Sequence, residues 1–222
     1  MRAHVEQGGF ALGTGTGPAR VKVCGITRLG DALAAARLGV DALGFNFWPG
    51  SRRFVTPEVA RAIVAALPPF VTPVGVFVNQ PEEEMRAIAA ATGIQVLQLH
   101  GDEPPDLCAR LPLPVVKAIP VDQVSTLSRL LSYEVQAFLL DTPSRGFGGT
   151  GRPFDWSLAE GVSKVAPVIL AGGLDPDNVG AAIRAVRPFA VDVASGVESS
   201  PGVKDPDRMS RFVRAVREVS LP

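Results

Sequence analysis

The chain has 222 residues, and its 22 basic and 22 acidic side chains give a formal net charge of zero. Balanced charge lacks the basic excess that marks nucleic-acid binders. Hydrophobic residues make up 46% and charged residues 20%, which is typical of a globular protein with a sizeable core. Two cysteines and two histidines are too few for a disulfide framework or a histidine-rich zinc site. We therefore expect no metal site built from these residues.

The first 20 residues differ from the rest of the chain. A run of Gly and Thr at 13–17 has no apolar periodicity, so we interpret residues 1–20 as a flexible N-terminal leader before a catalytic domain at 21–222. No continuous apolar segment follows Arg2, which argues against a secretory signal. No apolar run reaches the roughly 18 residues of a membrane span. These observations predict a soluble cytoplasmic protein.

From Val21 onward, short apolar segments alternate with amphipathic ones. The predicted strands are 21–24, 41–46, 73–78, 95–99, 114–117, 136–141, 167–170 and 189–193. The predicted helices are 31–38, 57–64, 82–92, 104–110, 123–132, 155–164, 176–186 and 206–218. Eight strands alternating with eight helices predict a single-domain (β/α)8 TIM barrel of the α/β class. An open doubly wound sheet is the alternative, but the segment 24–30 lacks its glycine fingerprint.

Two proton-transfer side chains end predicted strands of this barrel. Cys24 ends the first strand and Asp141 ends the sixth. In a TIM barrel the carboxyl ends of the strands form the catalytic face, so the two side chains are candidates for a base–acid pair. The alternatives are a buried structural thiol for Cys24 and a turn cap for Asp141.

Two glycine turns follow the last two predicted strands. Gly172 and Gly173 come after the seventh strand, and Ser195 and Gly196 come after the eighth. Loops at these places commonly bind phosphate through backbone N–H groups, and glycine lets the backbone approach the anion closely. The pair of turns predicts a phosphate site.

Other polar groups fall on the same face. Arg52 and Arg53 follow the second strand, where an arginine can hold a substrate carboxylate with two parallel hydrogen bonds. The glycine-rich segment 145–151 is a candidate lid beside Asp141. For His100 and Gln98 we favour structural hydrogen bonding. Lys22 shares a strand face with Cys24, so it either influences the thiolate or pairs with another charge inside the barrel.

These motifs together resemble phosphoribosylanthranilate isomerase, in order and in spacing, from about Val21 to near the C-terminus. The matching segments are 22–27, 44–47, 51–53, 74–79, 98–101, 140–141, 148–151, 154–156, 171–174 and 193–198. The resemblance implies an Amadori rearrangement of N-(5-phosphoribosyl)anthranilate in tryptophan biosynthesis. It implies a small phosphosugar substrate, no cofactor, and a monomer or homodimer without nucleic-acid or membrane partners.

The resemblance also implies roles for single residues. Asp141 matches the general acid that protonates the furanose ring oxygen, and Cys24 matches the general base that removes the C2′ proton. Arg53 matches the arginine that binds the anthranilate carboxylate, although the adjacent Arg52 leaves the register open. The turns at 172–173 and 195–196 match the phosphate site.

Other functions fit these residues less well. The histidine-pathway aminoaldose isomerase uses aspartates at both proton-transfer positions, which Cys24 contradicts, but side activity on its substrate stays open. Indoleglycerol phosphate synthase uses a lysine and a glutamate, and Lys117 alone does not rebuild that site. A non-catalytic phosphate-binding barrel has no need of both Cys24 and Asp141.

Overall fold

A computed structural model describes residues 18–121, 130–142, 156, 159, 162–164 and 166–219 of the chain. Eight parallel strands close into one barrel, each paired with its neighbours in chain order and the eighth paired with the first. The strands are β1 (Arg20–Cys24), β2 (Ala42–Asn46), β3 (Thr72–Phe77), β4 (Val96–Leu99), β5 (Val115–Pro120), β6 (Ala137–Asp141), β7 (Val168–Leu170) and β8 (Ala190–Val193). The predicted TIM barrel and all eight predicted strands are confirmed, with bounds that differ by at most three residues.

Helices pack around the outside of the barrel. The α-helices among the described residues are α1 (Leu29–Arg37), α2 (Pro57–Ala65), α3 (Glu82–Thr92), α4 (Pro105–Arg110), α5 (Val179–Val186) and α6 (Pro206–Arg217). Helix α2 begins as predicted, because Pro57 occupies its first turn and the Thr56 hydroxyl accepts a hydrogen bond from the Val59 N–H. No helix in this described part of the chain is both long enough and apolar enough to cross a bilayer.

The later helices differ from the prediction. Helix α5 begins at Val179 instead of 176, because the Asp175 carboxylate accepts hydrogen bonds from the N–H groups of Asp177 and Asn178 and stabilises a turn there. Residues 162–164 form a short 3₁₀ turn. Most of the remaining residues of the helix predicted at 155–164, residues 123–129 of the helix predicted at 123–132, and the whole candidate lid at 145–151 lie outside the described residues.

The buried side chains inside the barrel differ in size from those between the barrel and the helices. Large side chains such as Phe45, Phe77 and Leu97 are fully buried in the core shared with the helices. The cluster inside the barrel contains four alanines (Ala118, Ala137, Ala171 and Ala190) beside Val116, Leu139 and Ile169. Small interior residues leave room along the barrel axis, where bulkier side chains usually fill the space.

A short hairpin was not predicted from the sequence. After a 3₁₀ turn at Ser195–Val197, strands β9 (Glu198–Ser200) and β10 (Val203–Lys204) pair antiparallel. The hairpin buries Glu198 and Lys204 near the carboxyl ends of β1 and β8. It therefore brings two charged side chains to the face on which the candidate site lies.

Candidate active site

One cleft at the carboxyl ends of the strands is lined by six of the seven predicted site residues. These are Cys24, Arg53, Asp141, Gly172, Gly173 and Ser195. Asn46, Gln98, His100 and Asp192 line the same cleft. Gly196, the seventh, does not line the cleft.

Cys24 ends β1 beside a glycine of β2. Its partner in the β2 register is Gly44. A Cβ at Gly44 would lie 2.7 Å from the Cys24 Sγ and 3.1 Å from the Lys22 Nζ. A side chain on β2 would therefore displace the thiol or the ammonium, so Gly44 leaves the space in which the two groups meet.

The charges around Cys24 act in opposite directions. Burial raises the pKa of the Cys24 thiol above its usual value, and so does the negative charge of Asp192. The Lys22 and Lys204 ammonium groups lower that pKa and moderate the increase. Lys22 itself is held charged: burial lowers its pKa, but Asp192 and Cys24 together raise it above the usual value. Both roles considered for Lys22 thus occur together.

Asp141 ends β6 within a short hydrogen-bonded chain. Its Oδ1 accepts a hydrogen bond from the Thr142 N–H at 2.7 Å, and its Oδ2 lies 3.4 Å from the His100 Nε2. The Gln98 Nε2 lies 3.0 Å from the His100 Nδ1. An amide nitrogen only donates, so Nδ1 accepts and the imidazole proton of a neutral His100 faces Asp141. The hydrogen-bonding role expected for His100 and Gln98 is present.

The two arginines after β2 are placed differently. The Arg53 side chain lines the cleft, and its Nε and Nη2 donate to the two carboxylate oxygens of Glu198 at 2.9 and 2.7 Å. Arg52 is exposed and does not line the cleft. Of the two, Arg53 is the guanidinium within reach of a molecule in the cleft.

The glycine turns after β7 and β8 touch each other. Gly172 and Gly173 have φ values of 82° and 66°, in the left-handed region that favours glycine. A Cβ at Gly196 would overlap the Leu174 carbonyl oxygen. The second turn thus approaches the first at backbone distance, and residues of both turns line the cleft.

The chain is similar in sequence to one known family of enzymes. The family model described as N-(5'phosphoribosyl)anthranilate (PRA) isomerase matches residues 21–215. The chain belongs to this family. The N-(5'-phosphoribosyl)anthranilate isomerase of Geobacter metallireducens is 50% identical over 199 residues, which cover 89% of this chain and 98% of the relative. The enzyme of Myxococcus xanthus is 48% identical over 207 residues, with 91% and 98% coverage.

Solved structures of the family have the same fold. Phosphoribosyl anthranilate isomerase from Thermotoga maritima superposes with a TM-score of 0.85 and 46% identity, over 90% of this chain and 98% of that one. A second structure of the family has a TM-score of 0.82, 44% identity and the same coverage. That protein is in complex with reduced 1-(o-carboxyphenylamino)-1-deoxyribulose 5-phosphate.

Sequence reasoning did not identify three charged residues of the site: Asp192, Glu198 and Lys204. Asp192 had a signal, because it interrupts an apolar strand as Lys22 does, and opposite charges in two apolar strands indicate an ion pair. Glu198 and Lys204 had none, because the hairpin that carries them was not predicted. Lys117, considered earlier as one half of a catalytic pair, is bonded to Glu103 at 2.8 Å, and neither residue lines the cleft.

Proposed function

We propose that this chain converts N-(5'-phosphoribosyl)anthranilate to 1-(2-carboxyphenylamino)-1-deoxyribulose 5-phosphate, with Asp141 as general acid and Cys24 as general base. The observation that carries the proposal is the single cleft between them. It places a strand-end thiol, a strand-end carboxyl, an arginine and two glycine turns around one space. Those are the groups that an aminoaldose carrying a carboxylate and a phosphate requires.

Two proton transfers by the enzyme carry the substrate to an enolamine, and a proton shift from the C2′ hydroxyl to C1′ then gives the product. Asp141 gives a proton to the furanose ring oxygen as the bond from C1′ to that oxygen breaks, which leaves a protonated Schiff base. Cys24 then removes the C2′ proton, and the bonding electrons move toward the nitrogen to give an enolamine. The enolamine tautomerises to the ketone, so atoms balance without an external oxidant or reductant. Each positioned acid or base supplies a factor of about 10² to 10⁴ in rate.

Binding groups surround these two residues. The N–H groups of the turns at 172–173 and 195–196 face the phosphate, as loops after the last two barrel strands commonly do. Arg53 holds the anthranilate carboxylate. Its anchoring on Glu198 keeps the guanidinium beside the Cys24 side of the cleft.

The test is turnover of freshly made substrate, followed by loss of anthranilate-type fluorescence. We expect rapid turnover by the parent and a fall of at least about 10²-fold in Cys24→Ala. The matched control is Cys108→Ala, since Cys108 is buried in α4 and does not line the cleft. No turnover by a folded parent would contradict the proposal, and the histidine-pathway aminoaldose would then be the substrate to test.

We further infer a homodimer. The solved relative from Thermotoga maritima is described as dimeric. In this chain an apolar cavity of about 370 Å³ opens at the amino-terminal ends of the strands, between residues such as Val74, Val116 and Ile169. Phe70, two residues before β3, is 100% exposed with φ of 70°. Thr72, two residues after Phe70, lines this cavity, and an exposed aromatic side chain so near it in the chain fits contact between two copies.

Sedimentation of the parent and of Phe70→Ser tests this inference. We expect a dimer for the parent and a shift toward monomer for the variant. A monomeric parent at micromolar concentration would contradict it. The cytoplasmic location, the absence of a cofactor and the leader at 1–20 stay predictions from the sequence.

A further inference from the structure

Glu198 is a buried carboxylate that contacts groups from three parts of the chain. Its side chain is 4% exposed. Oε1 accepts hydrogen bonds from the Arg53 Nε at 2.9 Å, the Lys204 Nζ at 2.8 Å and the Gly202 N–H at 3.2 Å. Oε2 accepts one from the Arg53 Nη2 at 2.7 Å. The mechanism above gives this residue no direct contact with substrate.

Arg53 is also held from its other side. Gly25 follows Cys24 with φ of 78°, and a Cβ built there would overlap the Arg53 Cδ. The aliphatic part of Arg53 thus rests on the backbone next to the proposed base. With its stem on Gly25 and its Nε edge on Glu198, the guanidinium has one defined orientation.

That orientation leaves a second edge of the guanidinium available. Arg53 Nη1 donates no hydrogen bond to any residue that the structure describes, although the side chain lines the cleft. A guanidinium has five N–H donors in a planar fork, so Nη1 and Nη2 can both donate to a planar carboxylate while the Nε and Nη2 edge stays on Glu198.

Lys204 adds a second cation to the cluster. Its Nζ is fully buried and donates to the Cys24 carbonyl at 2.6 Å, the Ala194 carbonyl at 3.2 Å and Glu198. Two cations and one carboxylate leave an excess of one positive charge. Because an unbalanced charge away from water is costly, this excess favours a second carboxylate from the substrate.

We propose that Glu198 is a positioning residue that sets specificity, by presenting the outer edge of Arg53 to a carboxylate on the aromatic part of the substrate. This proposal rests on the proposed function. Its alternative is a purely structural role, in which Glu198 only joins the hairpin to the barrel. The two roles predict different effects on binding. If Glu198 sets specificity, replacing it weakens only the binding of ligands that carry the carboxylate, whereas a structural role affects all ligands equally.

The experiment compares two ligands. One is reduced 1-(o-carboxyphenylamino)-1-deoxyribulose 5-phosphate, and the other is the same molecule without the carboxyl group. We expect the parent to prefer the first by at least about tenfold, and Glu198→Gln to lose about tenfold of that preference. The variant places an amide NH₂ among the donors of Arg53 and Lys204, which turns the guanidinium. Affinity for the second ligand should change by no more than about twofold.

Two controls accompany the measurement. Glu83→Gln, in the exposed first turn of α3, should keep the parent's preference. Arg53→Ala should lose the preference, and adding Glu198→Gln to it should cost nothing further, because the two residues act as one unit.

Unchanged preference in folded Glu198→Gln would overturn the proposal, and so would an equal loss of affinity for both ligands. If Glu198→Gln does not fold, the ratio of the affinities for the two ligands is measured in Glu198→Asp instead. That variant keeps the negative charge but moves it away from Arg53 by the length of one methylene group. A parent that binds neither ligand would overturn the proposed function itself, and this specificity role with it. If the parent binds both ligands, the result for the Glu198 variant tests only the role of Glu198.

Discussion

Lys22 and Asp192 are register partners on the adjacent strands β1 and β8, and their side chains form a buried ion pair with an Nζ to Oδ1 distance of 2.7 Å. Burial raises the pKa of the nearby Cys24 thiol, and the positive charge of Lys22 lowers it. A thiol must lose its proton to act as a base. The Lys22 ammonium favours the thiolate and the Asp192 carboxylate opposes it, so the pair adjusts the basicity of Cys24.

Replacement of Lys22 by Met should therefore move the pH profile of the enzyme. Lys22 lowers the pKa of Cys24, so its loss raises that pKa further above the usual value. At any fixed pH the thiolate fraction then falls, and the ascending limb of kcat/KM against pH moves to higher pH. We expect kcat/KM at pH 7 to fall by at least about tenfold. Lys22→Met/Asp192→Asn is the control, and its limb should move less, because the opposing carboxylate is also removed.

Asp141→Asn should abolish proton donation and keep the shape of the site. We expect kcat to fall by about 10² to 10⁴-fold, because one general acid is lost. Binding of the reduced product analogue should change little, since the amide oxygen can still accept the Thr142 N–H. Steady-state kinetics and calorimetry would check both outcomes. A near-parental kcat would assign the acid to another group.

Arg53→Ala should raise KM more than it lowers kcat. Its contact with the carboxylate is remote from the reacting atoms, so it contributes similarly to ground-state and transition-state binding. The exposed neighbour offers a matched control, and Arg52→Ala should leave both constants near the parent values. The opposite pattern, with KM raised only in Arg52→Ala, would reassign the carboxylate contact to Arg52.

The positions of the strands were predictable because each strand is a short apolar run, and strands and helices alternate regularly along the chain. A helix start was mispredicted where a side chain bonds to the backbone. The Asp175 carboxylate accepts hydrogen bonds from two backbone N–H groups, and helix α5 therefore begins at Val179. Such a bond depends on local backbone geometry and has no signature in hydrophobic periodicity. Strand ends could be located to within three residues, which was enough to place Cys24 and Asp141 on one face.

The charged network around the cleft was less predictable. Lys22 was recognised as facing the same side as Cys24, but its partner Asp192 is 170 residues away in the chain. Glu198 and Lys204 depend on a hairpin whose strands have three and two residues, too short to produce an alternating pattern. The roles of these residues depend on their contacts with segments far away in the sequence. Those contacts form only when the barrel closes, so the sequence alone does not show them.

Gly172→Ala should damage the acid side of the site. A Cβ there would lie 2.7 Å from the Thr142 backbone nitrogen and 3.0 Å from the Asp141 Oδ1, and the φ of 82° is strained for alanine. The turn must shift, so we expect a kcat loss of at least about tenfold with weaker phosphate binding. The control is Gly180→Ala in α5, where the nearest atoms are 3.7 Å away. That variant should gain about 0.5 to 1 kcal/mol of stability from helix propensity and keep its activity.

Lys117→Met should destabilise the fold by about 3 to 5 kcal/mol, because it leaves a buried carboxylate without its cation. The Lys117 and Glu103 side chains are 2% and 1% exposed, and Glu103 also accepts the N–H groups of Asn79 and Gly101. Urea unfolding would measure the loss. Arg110→Met, which breaks an exposed pair with Asp106, should barely change the midpoint. Adding Glu103→Gln to Lys117→Met should restore part of the loss by removing the unpaired charge. A Lys117→Met midpoint equal to that of Arg110→Met would show that the buried pair contributes no more than the exposed one.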